Sequence, residues 1–321
     1  MSPDPRGETH VAAPTSSGAS VRSPREVDVA VPADVLPPVG GVGDESGRPL
    51  RRRQALAILA ILVPVAIVAL FPFYWMVTTA LTPSSAAIRV PPSLVPLDAS
   101  AENLAELFRQ APVLLWAFNS LLIAVAIMVC HVVFDSMAGY AFAKKRFPGR
   151  GLMFLLIVSS LMIPVQVTLV PRFILISRLG LDDNLLGVIL PSIADVFGIF
   201  LMRQFIRTLP AELEEAARVD GANEWQVFWR VIMPLSRPAV ATVAIFSFVG
   251  AWNAFLWPLI VLSKRELLTL PVGVALLQQE FSSNIGLQMA GAAVGAVPMI
   301  LLFLFFQRHF LDGVRVGGVK G

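Results

Sequence analysis

Six long runs of apolar residues dominate this 321-residue chain. Each is close to the ~20 residues that an α-helix needs to cross the hydrocarbon core of a bilayer. The composition agrees, because 56% of the residues are hydrophobic and only 15% are charged, whereas soluble domains are about 25% charged. The runs cover residues 55–79, 115–138, 152–174, 185–206, 238–262 and 289–307. This pattern predicts an all-α, polytopic membrane protein with six transmembrane helices.

The runs favour helices over a membrane barrel. A barrel would show many segments of about ten residues with alternating apolar and polar side chains, and this sequence shows none between its runs. The fourth run is the least regular, since it contains Pro191 and Asp195. Pro191 predicts local unwinding of that helix.

Lys and Arg residues near the run ends lie mainly on one side of the predicted membrane domain, for example Arg51–Arg53, Lys144–Arg146 and Arg230. The opposite side has fewer, among them Arg172 and Lys264. Loops on the cytoplasmic side carry the excess of positive residues. We therefore expect both termini in the cytoplasm.

The chain changes character near residue 50. Residues 1–50 are rich in Pro, Ser, Gly and Val, and scattered charges interrupt any periodicity. Such a segment buries too little apolar surface to offset the entropy of ordering it. It also lacks the apolar core and cleavage site of a secretory signal. We expect a disordered cytoplasmic tail at 1–50 and a six-span domain at 51–321.

The sequence lacks the residues that several kinds of functional site require. Cys130 is the only cysteine, which excludes internal disulfides and cysteine-held metal clusters. The histidines, His10, His131 and His309, lie too far apart for a metal-binding pair. No Walker A phosphate-binding loop occurs, and the net charge is only +3. We expect no metal, no bound cofactor, no nucleic acid and no catalysis in this chain.

The loop at about 207–237, between the fourth and fifth runs, is the most patterned polar segment. Pro210 suits the first turn of a helix, and the three glutamates that follow favour its positive end. The spacing predicts that Leu209, Leu213, Ala216 and Ala217 line one face, whose small residues allow close approach to a partner.

A second short helix is predicted after this one. Gly221 supplies the left-handed conformation that ends the first helix, and Asn223 with Gln226 forms a box-like cap for the second. Pro234 is expected to stop it. The pair either lies in the lipid headgroup layer or docks on a protein, which its acidic face suits better.

The residues of this loop resemble a known family. Glu215-Ala216-Ala217, Asp220-Gly221-Ala222 and Ile232-Met233-Pro234-Leu235 are similar to the EAA loop of permeases from binding-protein-dependent ABC importers. Further matches to the sugar (maltose-type) branch are Asn119-Ser120, Gly139–Ala143, Arg146–Gly149, Met162–Pro164 with Gln166, Trp252-Asn253 and Gly318–Gly321. The resemblance covers residues 55–321.

This resemblance implies a permease of the bacterial plasma (inner) membrane that carries out no reaction itself. Its loop would dock on a cytoplasmic ATPase dimer that binds ATP and Mg²⁺, and would pass the closure of that dimer to the spans. A second permease subunit and an extracytoplasmic solute-binding protein would complete the importer. Glu215 would pair with the ATPase. The implied coupling residues are Glu215, Ala216, Ala217, Asp220, Gly221, Ala222 and Pro234.

Polar residues within the runs are candidates for the solute pathway: Asn119, Asp195, Trp252 and Asn253. Trp252 and Asn253 suit a sugar, because an aromatic ring stacks on its apolar face while an amide bonds a hydroxyl. Asp195 either lines the passage or forms a hydrogen bond between helices.

Two further features in the runs have open interpretations. His131 and Asp135 lie four residues apart, so they share a helix face and are expected to pair. That pair is either structural or a proton relay or solute contact. Gly291 and Gly295 match the spacing of close helix packing.

The expected cargo is a carbohydrate, meaning a sugar, polyol or sugar phosphate, by resemblance alone. An importer of a non-sugar solute is one alternative. A secondary transporter that uses His131, Asp135 and Asp195 for ion coupling is another.

Overall fold

The computed structural model describes residues 52–83, 99–280 and 284–318, and the described side chains end at residue 304. The predicted tail at 1–50 lies outside these residues. The chain forms two units that divide after Val65. Within the first unit, residues 52–65 begin a long helix, and the rest of the fold belongs to the second.

The first helix, α1, covers Arg52–Ala80. The helix α2 covers Glu102–Gln110, and the Ser100 hydroxyl accepts a hydrogen bond from the Glu102 amide at its start. The buried Asn103 amide of α2 donates to the carbonyls of Ala80 and Thr82. This side chain therefore fixes α2 against the end of α1.

The long helix α3, Val113–Lys144, lies at the centre of the second unit. It packs against α7, Val196–Ile206, and α11, Arg237–Trp252. Gly139 allows α3 and α7 to approach closely, because a Cβ there would lie 2.7 Å from the Met202 Cβ. Residues of α3 consequently reach both ends of the fold.

The third and fourth apolar runs form broken helices. The helix α4, Arg150–Ser159, continues through a 3₁₀ turn at Ser160–Met162 and bends by 97° before a second 3₁₀ turn, Val165–Thr168, and α5, Leu169–Arg178. Pro164 explains the break, because it forces Ile163 into an extended conformation. The helix α6, Leu185–Ile189, with a 3₁₀ turn at Leu190–Ser192, bends by 40° before α7.

The segment between α7 and α11 contains three short helices: α8, Glu212–Val219; α9, Glu224–Val227; and α10, Met233–Leu235. A π-helical turn, Phe228–Ile232, joins the last two. After α11 come α12, Leu256–Val261, a 3₁₀ turn at Arg265–Leu267, α13, Leu270–Glu280, and α14, Ile285–Gly318. Thus the fifth run is also interrupted, between Trp252 and Leu256.

Two apolar cores hold the second unit together. The larger core lies around Trp116 of α3, whose indole ring covers Gly273 of α13 so closely that a Cβ there would lie 2.2 Å from the ring. The second, which we name the loop core, joins α3 and α7 to the segment before α11 and to α11 itself. It consists of Tyr140, Met202, Ile206, Val227, Phe228, Ile232, Ala239 and Val243.

Within the described residues, two helices are long and apolar enough to cross a bilayer, Leu56–Ala80 and Val113–Lys144. Three bent pairs pass the same test when each is taken as one span, and Ile285–Leu301 is a shorter apolar helix. Side chains such as Val68 of α1 and Met162 are exposed, as expected for a surface in lipid. The described fold is helical without strands; the count of six spans stays a prediction.

Candidate functional site

The predicted pair of short helices is present at residues 207–237. Gly221 has φ +86° and forms the left-handed turn between α8 and α9. The Asn223 side chain accepts a hydrogen bond from the Gln226 amide, and the Gln226 side chain accepts one from the Asn223 amide. The predicted turn and cap are therefore confirmed.

The predicted apolar face of α8 is divided between solvent and the loop core. Leu213 and Ala216 are exposed, whereas Glu214 is only 3% exposed. Leu209 and Ala217 do pack against the loop core, as expected. Glu214 is directed inward, where α3 offers hydrogen-bond and charge partners for its carboxylate.

Glu214 connects α8 to the end of α3. Its Oε2 accepts a hydrogen bond from the Tyr140 hydroxyl at 3.1 Å and pairs with Arg218 Nη2 at 2.9 Å. Its Oε1 lies 3.5 Å from Lys144 Nζ, which also donates to the Leu209 carbonyl. A buried carboxylate needs such partners, because its desolvation is otherwise costly.

Glu224 of α9 extends this network at the solvent side. It pairs with Lys145, and its Oε1 lies 3.0 Å from Arg218 Nε. Hydrogen bonds from Lys145 and Arg218 lower the pKa of Glu224 from 4.5 to about 2. The carboxylate is therefore ionised throughout the physiological range.

The outer side of the loop is exposed and includes apolar groups. Glu215 and Ala216 are exposed, Val219 is 87% exposed and Trp225 is 58% exposed. An exposed apolar patch beside a glutamate suits a protein contact better than free solvent. We name this surface, made of Leu213, Glu215, Ala216, Val219 and Trp225, the outer loop face.

Pro234 marks the end of the second helix to within one residue, as predicted. It lies at the start of α10, and the helical path continues to Leu235 before bending by 82° into α11. The π-helical turn precedes it, with the Met233 amide bonded to the Phe228 carbonyl five residues back. This wider turn changes the hydrogen-bond register just before proline, which has no amide hydrogen to donate.

A partly open cavity of about 480 Å³ lies between α3, α5, the α6–α7 break, α11 and α12. Its polar lining consists of His131, Arg172, Ser192, Asp195, Ser247 and the indole of Trp257. Among the described residues, this cavity brings together polar side chains from several of the broken helices.

His131 and Asp135 do not pair with each other. His131 Nδ1 lies 2.8 Å from Ser247 Oγ and Nε2 lies 2.7 Å from the Ser192 carbonyl. Asp135 Oδ1 accepts a hydrogen bond from the Asp195 amide. The unwound segment after Pro191 offers the backbone groups that both side chains bind, so partners on other helices replace the expected contact within α3.

The predicted pathway residues are spread over different places. Asp195 lines the cavity, where its carboxylate also caps α7 by accepting from the Gly198 amide. The Asn119 amide donates to the Glu266 and Leu268 carbonyls, away from the cavity. Trp252 is buried against Phe248, and Asn253 is exposed with its amide bonded to the Val249 carbonyl.

Sequence reasoning missed Glu214 and Arg172. Glu214 sits directly before the EAA residues, and no feature of the sequence separates its inward side chain from the outward one of Glu215. Arg172 lies near the end of an apolar run. A charged residue within a hydrophobic segment was the available signal.

A model of the family described as binding-protein-dependent transport system inner membrane component matches residues 54–316. The chain belongs to this family. The arabinooligosaccharides transport system permease protein AraQ of Halalkalibacterium halodurans is 38% identical, over 80% of this chain and 93% of the relative. The lactose transport system permease protein LacG of Rhizobium radiobacter is 34% identical, over 84% of this chain and 98% of the relative.

The same fold occurs in a bacterial ABC transporter involved in the import of the acidic polysaccharide alginate. That chain aligns with a TM-score of 0.72 and 24% identity, over 81% of this chain and 99% of that one. The permease therefore has an established transporter fold and is an inner membrane component of a binding-protein-dependent transport system.

Proposed function

We propose that this permease forms part of an ATP-driven importer of carbohydrates. Its family membership and the sugar-transport names of relatives at 38% and 34% identity support this cargo. The ATPase dimer, which would bind ATP and Mg²⁺, a second permease and a solute-binding protein would be separate chains. The protein would lie in a bacterial plasma membrane with both termini in the cytoplasm.

The observation that carries the proposed mechanism is the two-sided geometry of α8. Glu214 fastens its inner side to α3, while Glu215, Ala216 and Val219 remain exposed on its other sides. Because α8 is attached to α3, a force applied to its outer face would move α8 and the spanning helices together as a rigid unit. We assign the outer loop face, which includes Glu215, to the ATPase contact.

The remaining coupling residues have matching roles in this proposal. Gly221 makes the turn that sets the angle between α8 and α9, and Ala217 and Ala222 pack against the loop core. Asp220 ends α8, with its amide bonded to the Ala216 carbonyl. Pro234 lies where the loop joins α11 and passes the movement to a spanning helix.

Uptake into proteoliposomes that contain the complete transporter tests this function. Labelled arabinooligosaccharides and lactose are offered with ATP enclosed on the ATPase side, and separately with an ion gradient alone. We expect ATP-dependent uptake of at least one sugar. Uptake driven by the ion gradient without ATP would contradict the proposal and favour a secondary transporter, and uptake of amino acids instead of sugars would overturn the cargo.

A further inference from the structure

Arg172 is a cation in the cavity without an acidic partner among the described residues. Its guanidinium lies 4.4 Å from the centroid of the Trp257 ring, and Nη2 donates to Ser192 Oγ at 2.7 Å. The side chain is half-buried. A positive charge within an apolar helical segment usually has a partner or a functional role.

Two buried donors at this place have no acceptor within the described part of the chain: Arg172 Nε and Trp257 Nε1. Both belong to residues that line the cavity. A buried donor without an acceptor is costly, whereas a bound anion would satisfy the guanidinium with charge-assisted hydrogen bonds. The cation is already stacked on the indole, so little side-chain freedom remains to be lost on binding.

Two carboxylates near the cavity each accept a backbone hydrogen bond through one oxygen, while Asp135 Oδ2 is buried without a hydrogen-bond partner among the described residues. Asp195 Oδ2 accepts from the Gly198 amide, and Asp135 Oδ1 accepts from the Asp195 amide. Neither carboxylate forms an ion pair with Arg172 within the described residues. Asp195 still lines the cavity as an acceptor, so the lining offers both a cation and an acceptor for hydroxyl groups.

The backbone around the cavity is also typical of a ligand site. The chain is unwound between Ser192 and Val196 and again between Trp252 and Leu256, and both breaks border the cavity. Irregular backbone at membrane depth is tolerated where it lines a cavity, and transporters bind solutes at such breaks. The volume of about 480 Å³ lies within the range of small-molecule sites.

We propose that this cavity is a binding site for an acidic carbohydrate, whose carboxylate or phosphate binds Arg172 beside Trp257. Hydroxyl groups of the same solute donate to Asp195 and exchange hydrogen bonds with Ser247. The inference rests on the proposed carbohydrate import and adds a charge preference to it.

Equilibrium binding to the complete transporter in nanodiscs, without the solute-binding protein, tests this site directly. The probes are a galacturonic acid disaccharide and the neutral galactose disaccharide of the same linkage. We expect tighter binding of the acidic probe, a loss of at least about tenfold in Arg172→Gln, and a smaller loss in Arg172→Lys, which keeps the charge but not the planar fork. Arg178→Gln, on the exposed end of α5, is the matched control and should bind like wild type.

Each outcome separates this inference from the proposed function. If wild type binds the acidic and the neutral probe equally well, and Arg172→Gln binds both as wild type does, the acidic site is overturned while carbohydrate import is left intact. Failure of both probes to bind, together with no sugar uptake, would overturn the import function as well. If Arg172→Gln does not assemble, Ser192→Ala replaces it, because it removes the hydroxyl that orients the guanidinium, and unchanged acidic binding there would count against the site.

A lipid phosphate is the competing source of an anion. Native mass spectrometry of wild type and Arg172→Gln, in nanodiscs that contain phosphatidylglycerol, distinguishes it from a solute. Loss of a retained phosphatidylglycerol in the variant, with unchanged galacturonate binding, would assign Arg172 to lipid and contradict the proposal.

Discussion

Glu214 and Glu215 are adjacent residues of the same type with opposite surroundings. Glu214 is buried against Tyr140, Lys144 and Arg218, and Glu215 is exposed. The two side chains point in different directions from α8, and α3 supplies Tyr140 and Lys144 on the side that Glu214 faces. Local sequence cannot predict which glutamate turns inward, because that choice depends on residues some 70 positions earlier in the chain.

Replacing Glu214 by Gln should loosen the attachment of residues 207–237. Gln keeps the acceptor for Tyr140 but removes the charge that Lys144 and Arg218 face. We expect a loss of about 2 kcal/mol in local stability, or roughly thirtyfold faster amide exchange in α8. Hydrogen–deuterium exchange of the purified complex measures this. Glu212→Gln, an exposed position of the same turn, is the control, and equal exchange in the two variants would contradict the role of Glu214.

Gly198→Ala should destabilise the contact between α3 and α7. A Cβ at Gly198 would lie 2.1 Å from Asp135 Oδ2, so the helices must separate or the Asp135 bond to the Asp195 amide must break. We expect a loss of about 2 kcal/mol and a fall in Tm of about 5 °C, measured by thermal unfolding in detergent. Gly295→Ala, where a Cβ meets open space, should leave Tm unchanged. Equal Tm values for both variants would contradict this packing.

At the scale of elements, the loop was more predictable than the broken spans. Gly221 and the cap made by Asn223 and Gln226 are determined by neighbouring residues, and the structure confirms them. The bend after Ile163 was not predicted, although Pro164 marks the place, whereas the predicted end of the second helix at Pro234 falls one residue later, at Leu235. Proline within an apolar run permits either a kink or a break, and tertiary packing decides between them.

Glu224 should stabilise the loop at neutral pH and lose this effect as the pH becomes acidic. Because its pKa is about 2 in the folded chain and 4.5 ordinarily, the stabilisation is complete above pH 4.5 and is lost as the pH falls towards 2. We expect the Tm difference between wild type and Glu224→Gln to stay constant from pH 7.5 to 5 and to shrink below 4.5. A difference that changes between pH 6 and 7.5 would show that another group controls it.

For the whole molecule, hydrophobic patterning predicted the helical class and the EAA residues predicted the family, which the match over residues 54–316 confirms. The cavity was not predictable in the same way. The cavity is formed by residues from separate segments, among them Arg172, Ser192 and Trp257. The breaks in the helices bring these residues together. Asn119 was predicted for the pathway, but its amide binds two loop carbonyls, which a sequence without coordinates does not reveal.

The central claim is that the outer loop face binds an ATPase while Glu214 holds the loop to the spans. Affinity purification in mild detergent, followed by mass spectrometry of wild type, Glu215→Lys and Glu102→Lys, tests it most directly. Glu102 is the matched control, since it is an exposed glutamate in the first turn of another short helix.

We expect wild type and Glu102→Lys to retain an ATPase and a second permease, and Glu215→Lys to retain the second permease but lose the ATPase. Retention of the ATPase by Glu215→Lys at the wild-type level, or purification of the wild-type chain alone, would contradict the account.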